Sequence, residues 1–137
     1  MKILIDTNVI LDILLKREPF FKDSYQALRI AAEKNMDCHI SATAATDIYY
    51  LLRKGLHSDE ATREYMYCLT KLASFADLLS EDILKAMEPG IKDFEDAVVS
   101  TVGKRIGVQY ILTRNIKDFV GSNPPAITPS EFIKMRQ

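Results

Sequence analysis

The chain predicts an α/β fold with three layers, α/β/α, around a central and mainly parallel sheet of about five strands. Short apolar runs alternate with amphipathic helical segments along its length, the pattern of a sheet covered on both faces. The opening run Lys2–Ile5 is apolar and stops at an acid, as a buried strand does. With 137 residues, 47% hydrophobic and 27% charged, the composition suits one domain over 1–137 that buries a real core.

The elements follow in order. After the first strand, Thr7 or Asn8 caps a helix over 9–16. Val9, Ile10, Leu11, Ile13, Leu14 and Leu15 make that helix apolar nearly all round, so it is expected to be largely buried. Residues 20–34 read as a second helix that Asn35 ends, and 38–40 as a short strand. Ser41 or Thr43 opens a helix to 54 with Gly55 as its stop. Ser58 caps the next, to about 74, with Ala61, Tyr65, Cys68, Leu69 and Leu72 as its apolar stripe. A strand at 76–79 precedes a short helix that Ser80 caps and that ends before Pro89-Gly90. Asp93 caps a helix to 106 ended by Gly107, with Phe94, Ala97, Val98 and Val102 on its buried face. Residues 110–113 form a strand, 116–119 a helical turn, and 126–128 an edge strand after Pro124-Pro125; Pro129-Ser130 begins the last helix.

Charge and composition exclude several classes. With 18 Lys and Arg against 19 Asp and Glu, the net charge is −1, without the basic field of a bulk nucleic-acid coat protein. The local clusters Lys16-Arg17, Arg53-Lys54 and Lys104-Arg105 read either as phosphate contacts or as solvated helix ends. Cys38 and Cys68 read as buried reduced thiols, and His39 and His57 are too scattered for a metal cluster. No apolar run is long enough to span a bilayer, and Asp6 interrupts any signal-peptide core. The expectation is a cytoplasmic protein with no membrane partner.

Ligands of open α/β sheets bind at the carboxyl ends of the strands. Asp6 stands at such an end and reads either as a ligand to a bound group or as the cap of the next helix. Asp12 lies inside the most apolar helix, four residues after Asn8, and needs a partner: a nearby backbone group, or a role supporting the site. Asp47 is mid-helix beside the buried face and reads as a site acid or a solvated one. In Asp93-Phe94-Glu95-Asp96, capping explains Asp93 well and Asp96 less well. Thr113-Arg114-Asn115 follows another strand, with Asn115 a polar strand-end residue or a cap. Carboxylates gathered at one sheet edge repel unless a cation bridges them, and oxygen donors select Mg²⁺ or Mn²⁺.

Three segments carry a resemblance. Ile3-Leu4-Ile5-Asp6-Thr7-Asn8-Val9-Ile10-Leu11-Asp12, the Asp96-Ala97 pair, and Ile111-Leu112-Thr113-Arg114-Asn115 with Lys117-Asp118-Phe119 together resemble the motifs of the PIN-domain family, and of its VapC-type toxin ribonucleases. The resemblance covers essentially the whole chain. It implies a PIN-like fold and hydrolysis of phosphodiester bonds in single-stranded RNA with Mg²⁺ or Mn²⁺. By the same resemblance Asp6 and Asp96 hold the ion, with Asp47 where the family usually has Glu. Asn115 takes a position that is often Asp. Asn115, Thr7 and Asn8 orient water or phosphate, while Asp12, Asp93 and Thr113 support the site. A homodimer and a small antitoxin partner are also implied; Tyr49, Tyr50, Tyr65, Met66 and Tyr67 read as a contact surface or as ordinary core and surface. Two other readings stand beside it. A degenerate PIN domain would act as a non-catalytic binding module. A haloacid-dehalogenase-type phosphatase would use Asp6-Thr7-Asn8, although Asn8 stands where its general acid belongs.

Overall fold

A computed structural model describes residues 1–136. Five strands, β1 (Lys2–Ile5), β2 (Asp37–Ser41), β3 (Ser74–Ala76), β4 (Tyr110–Leu112) and β5 (Ala126–Ile127), form one sheet in the order β3-β2-β1-β4-β5, with every pairing parallel. The helices are α1 (Thr7–Leu14), α2 (Phe21–Glu33), α3 (Ala44–Leu56), α4 (Asp59–Leu72), α5 (Ser80–Ala86), α6 (Phe94–Ile106) and α7 (Pro129–Arg136), with a 3₁₀ turn at Ile116–Phe119.

Strand alternation divides the core between the two faces of the sheet. Ile3 and Ile5 point into one cluster with Val9, Ile10 and Leu11 of α1, Ala27 and Ala31 of α2, Ile48 and Leu52 of α3, Leu69 of α4 and Phe132 of α7. Leu4, between them, points to the other face with Ile111 and Val99. Each fully buried aliphatic or aromatic side chain stabilises the fold by roughly 1.5–3 kcal/mol. Gly103 lets α6 come close to the sheet, since a Cβ there would lie 3.1 Å from Val108 Cγ2 and 3.4 Å from Leu4 Cδ2. Gly107 ends α6 at φ 78°, a left-handed conformation that suits glycine.

Several local expectations are corrected. Asp6, not Thr7 or Asn8, caps α1, because its carboxylate accepts the Thr7 N–H. Gly55 lies within α3; the helix runs to Leu56 and ends at left-handed His57, while Gly55 leaves room for Leu15, whose Cδ2 would be 2.8 Å from an added Cβ. In α4 the buried residues are Thr62 and Leu69; Tyr65, Cys68 and Leu72 are exposed because α4 packs beside α3 at the sheet margin. Cys38 is buried as expected. β3 covers Ser74–Ala76 rather than 76–79, its partners being His39, Ile40 and Ser41. Leu79 is the cap residue of α5, with its N–H donating to Asp82 at 2.9 Å. Phe94 is exposed at the helix entry. Among the described residues, no helix is long and apolar enough to cross a membrane.

Candidate active site

The strand order reverses direction between β1 and β4, so their carboxyl ends form the switch point where such sheets bind ligands. Asp6 sits there. Its N–H donates to the Leu112 carbonyl at 2.9 Å, extending the β1–β4 ladder by one residue. Its carboxylate accepts the Thr7 N–H at 2.9 Å and the hydroxyl of fully buried Thr113 at 2.8 Å. Asn8 Nδ2 reaches Asp6 Oδ2 at 3.4 Å and Thr113 Oγ1 at 3.3 Å, and Asn8 Oδ1 accepts the Arg114 N–H at 3.3 Å. Asn8 thus holds Asp6 and the β4 end together. Burial pushes the Asp6 pKa above 3.8, and the charge of Asp118 adds to this; the Thr113 and Thr7 hydrogen bonds and Arg114 offset only part.

The other acids come from the N-terminus of α6, from α3 and from the 3₁₀ turn. Asp93 caps α6 by accepting the Asp96 N–H at 3.0 Å. The Asp96 pKa is pushed up to about 7, first by burial and then by the charges of Asp93, Asp6, Asp118 and Glu95. The Glu95 pKa also rises, first through burial and then through the charges of Asp47, Asp93 and Asp6. Asp47, exposed in the first turn of α3, therefore joins the cluster through Glu95. Asn115 is exposed at the β4 end, its N–H donating to Thr113 Oγ1 at 3.1 Å.

Asp6, Asp47, Asp93 and Asp96 are thus brought to one region of the surface, with Thr113 and Asn8 beneath Asp6. Glu95 and Asp118 belong to the same charge cluster, and sequence reasoning gave neither a role. The signal for Asp118 was its place in Lys117-Asp118-Phe119, directly after the β4 motif. Glu95 had no separate signal, because an acid in a first helical turn is already explained by the helix dipole.

Asp12 takes a different course. It is fully buried and accepts Arg114 Nε at 2.6 Å, Arg114 Nη2 at 3.2 Å and Ser24 Oγ at 3.1 Å. Its partners are side chains rather than nearby backbone. The Arg114 guanidinium lies 3.8 Å from the Phe20 ring centroid. This clamp ties the residue after Thr113 to α1, so the two segments carrying Thr113 and Asp6 keep a fixed register.

The donor set fits a hard divalent cation: it is all oxygen, and burial first, then neighbouring carboxylate charge, raises the pKa of both Asp6 and Asp96. Among the described residues, no three Asp, Glu, His or Cys side chains stand close enough to hold an ion as a ready-made cage. Mg²⁺ does not require one, since it is commonly held by one or two carboxylates with water filling the rest of its sphere. Asp6 and Asp96 are close enough for their charges to interact.

Known proteins share the family and the fold. Residues 2–117 match the family described as PIN domain. Ribonuclease VapC1 of Aquifex aeolicus is 30% identical over 135 residues, spanning 96% of this chain and 92% of the relative. Two solved structures share the fold. One is VapBC2 from Rickettsia felis, bound to a DNA fragment from its promoter: TM-score 0.73, 17% identity, 93% of this chain and 98% of that one. The other is a toxin–antitoxin complex from Klebsiella pneumoniae: TM-score 0.68, 21% identity, 92% and 96%. The chain therefore belongs to the PIN-domain family and resembles its VapC-type ribonucleases.

Proposed function

We propose that this chain is a Mg²⁺- or Mn²⁺-dependent endoribonuclease, a hydrolase acting on single-stranded RNA as the toxin of a toxin–antitoxin pair in the cytoplasm. The observation that supports this reading most is the carboxylate cluster at the β1–β4 switch point of a PIN-family chain similar to Ribonuclease VapC1. Asp6 and Asp96 would hold the ion, with Asp47 assisting from the rim. A bound divalent ion supplies Lewis-acid activation of water and of the phosphoryl oxygen.

The chain's own residues do the rest. Thr113 and the Thr7 N–H favour the ionised form of Asp6 against its burial, keeping it available as a ligand. Asp96, pushed up to about 7, is only partly ionised near neutrality, and positive charge beside it would favour its carboxylate form. Burial first, and then the charges of Asp47, Asp93 and Asp6, raise the Glu95 pKa, so the rim resists carrying further negative charge. The Asn115 amide, exposed at the strand end, offers donors to a phosphate oxygen without adding negative charge. The antitoxin partner is carried over from the assemblies in which related folds were solved. For a homodimer, exposed Tyr50, Tyr65 and Tyr67 on α3 and α4 offer apolar contact area. A phosphatase of the haloacid-dehalogenase type draws no support from a PIN-family chain with Asn8 committed to Asp6 and Arg114.

The test is cleavage of single-stranded RNA by the purified protein with Mn²⁺ and with EDTA. Cleavage is expected only with metal, and Asp6→Asn or Asp96→Asn should abolish it while the fold persists. Unchanged cleavage by the double variant would overturn the mechanism. A well-folded wild type that neither binds Mn²⁺ by calorimetry nor cuts RNA would point instead to a non-catalytic binding module.

A further inference from the structure

The cleft beside Asp93 and Asp118 continues well past the carboxylates. It measures about 210 Å³ and also involves Gly90, Ile91, Lys92 and Lys117. Gly90 and Ile91 in turn line a second cleft of about 170 Å³. That one shares Lys85, Glu88, Ser100 and Thr101 with a third, of about 550 Å³, reaching Lys104 and Arg105. Shared walls make the three one groove along α6. From Asp93 to Lys104 it follows eleven helical residues, about 16 Å at the usual rise. A single phosphate is far shorter than that; an extended strand is not.

Its charge differs from that of the whole chain. Arg105 is committed to Asp82, which is 1% exposed, at 2.9 Å. Lys85, Lys92, Lys104 and Lys117 are exposed and make no ion pair with any described residue. Apart from Asp93 and Asp118 in the site itself, Glu88 is the only unpaired acid among the described residues lining it. The net charge of the full sequence is −1. Among the described residues no aromatic side chain lines the groove, so they offer no platform on which bases stack. The Ser100 hydroxyl lies 2.7 Å from that of Ser122, which donates to the Pro124 carbonyl, so these protons are committed and the lysines are the groups left to meet phosphate.

We infer that this groove is the track for the phosphodiester backbone of the RNA flanking the scissile bond, recognised through phosphate charge and not base sequence. The inference rests on the nuclease reading above. Lys92 and Lys117 steer the strand at the carboxylates, and Lys85 and Lys104 hold it at the far end.

The double variant Lys85→Ala/Lys104→Ala tests it, since both residues stand away from the candidate-site carboxylates and neither makes an ion pair with a described residue. Binding of a labelled oligouridine of about 16 nucleotides, a length in the range single-strand grooves cover, would be followed by anisotropy in EDTA across a salt series. The variant should bind more weakly, with a slope of log K against log salt shallower by about 1.4, two phosphate contacts at about 0.7 each. With Mn²⁺, KM for the long RNA should rise at unchanged kcat, while a dinucleotide is cut as by wild type. Lys85→Arg/Lys104→Arg should keep the wild-type slope. An active double variant with wild-type affinity and slope would overturn the track but leave the nuclease reading intact. So would a variant that loses only a protein partner. A wild type that neither binds nor cuts RNA would refute the nuclease reading and the track with it.

Discussion

Asp96→Asn keeps the side-chain volume and the backbone hydrogen bond to Asp93, but removes a charge that burial and four neighbouring carboxylates oppose. In the folded, metal-free protein Asp96 keeps its proton up to about pH 7, whereas an unperturbed aspartate releases it near 3.8. Between those values the folded state binds the extra proton. Stability of the metal-free fold therefore falls as pH rises through that window, and the full loss is present by about pH 8. At roughly 1.4 kcal/mol per pKa unit the rise corresponds to about 4 kcal/mol, and solvent screening of this partly exposed group reduces it to about 1–2 kcal/mol. For a chain of this size that is a gain in Tm of about 3–8 °C for the variant. Thermal melts by circular dichroism in EDTA should show this gap at pH 8 and its narrowing toward pH 4. Millimolar Mn²⁺ should then raise the Tm of wild type and leave the variant nearly unmoved. A variant no more stable than wild type at pH 8, or a gap independent of pH, would refute the account of Asp96 as a repelled carboxylate.

Two further substitutions probe the scaffold. Arg114→Ala leaves Asp12 buried with only Ser24 as partner and should cost about 3–5 kcal/mol in urea unfolding, while Asp12→Leu/Arg114→Leu should cost less than that single change; a loss under about 1 kcal/mol for Arg114→Ala would contradict the clamp. Thr113→Val removes the hydroxyl donor to Asp6 at nearly constant shape, so burial should push the Asp6 pKa further up and move the acidic limb of the pH–rate profile for Mn²⁺-dependent cleavage to higher pH; an unmoved limb would show that Thr113 does not tune Asp6.

Much of the fold was legible because local physics and tertiary context agree. Lys2–Ile5 is an apolar run too short for a helix and ends where the chain must turn. Ser58, Asp93 and Gly107 are caps whose side chain or left-handed backbone does what their residue type favours. Errors arose where a residue serves a distant neighbour. Gly55 looked like a stop, but its lack of a side chain accommodates Leu15. Cys68 and Leu72 fit an apolar stripe, yet α4 at the margin of the molecule covers only part of its circumference. At the candidate site, the strand end and the ill-explained helix acid drew Asp6 and Asp96 out as candidates, and the motif resemblance then assigned them to an ion. Glu95, Asp118 and the Arg114 clamp could not be placed, because their meaning comes from the β1–β4 adjacency and from the approach of α3 to α6, contacts between segments far apart in sequence.

The most direct test of the central claim is a crystal of the wild-type protein soaked in Mn²⁺ and measured for anomalous scattering. A Mn²⁺ peak is expected at the carboxyl ends of β1 and β4, with oxygens of Asp6 and Asp96 in its coordination sphere and Asp47 at its rim. A peak bound elsewhere, or none at these carboxylates at a pH above 7 where Asp96 is ionised, would contradict it.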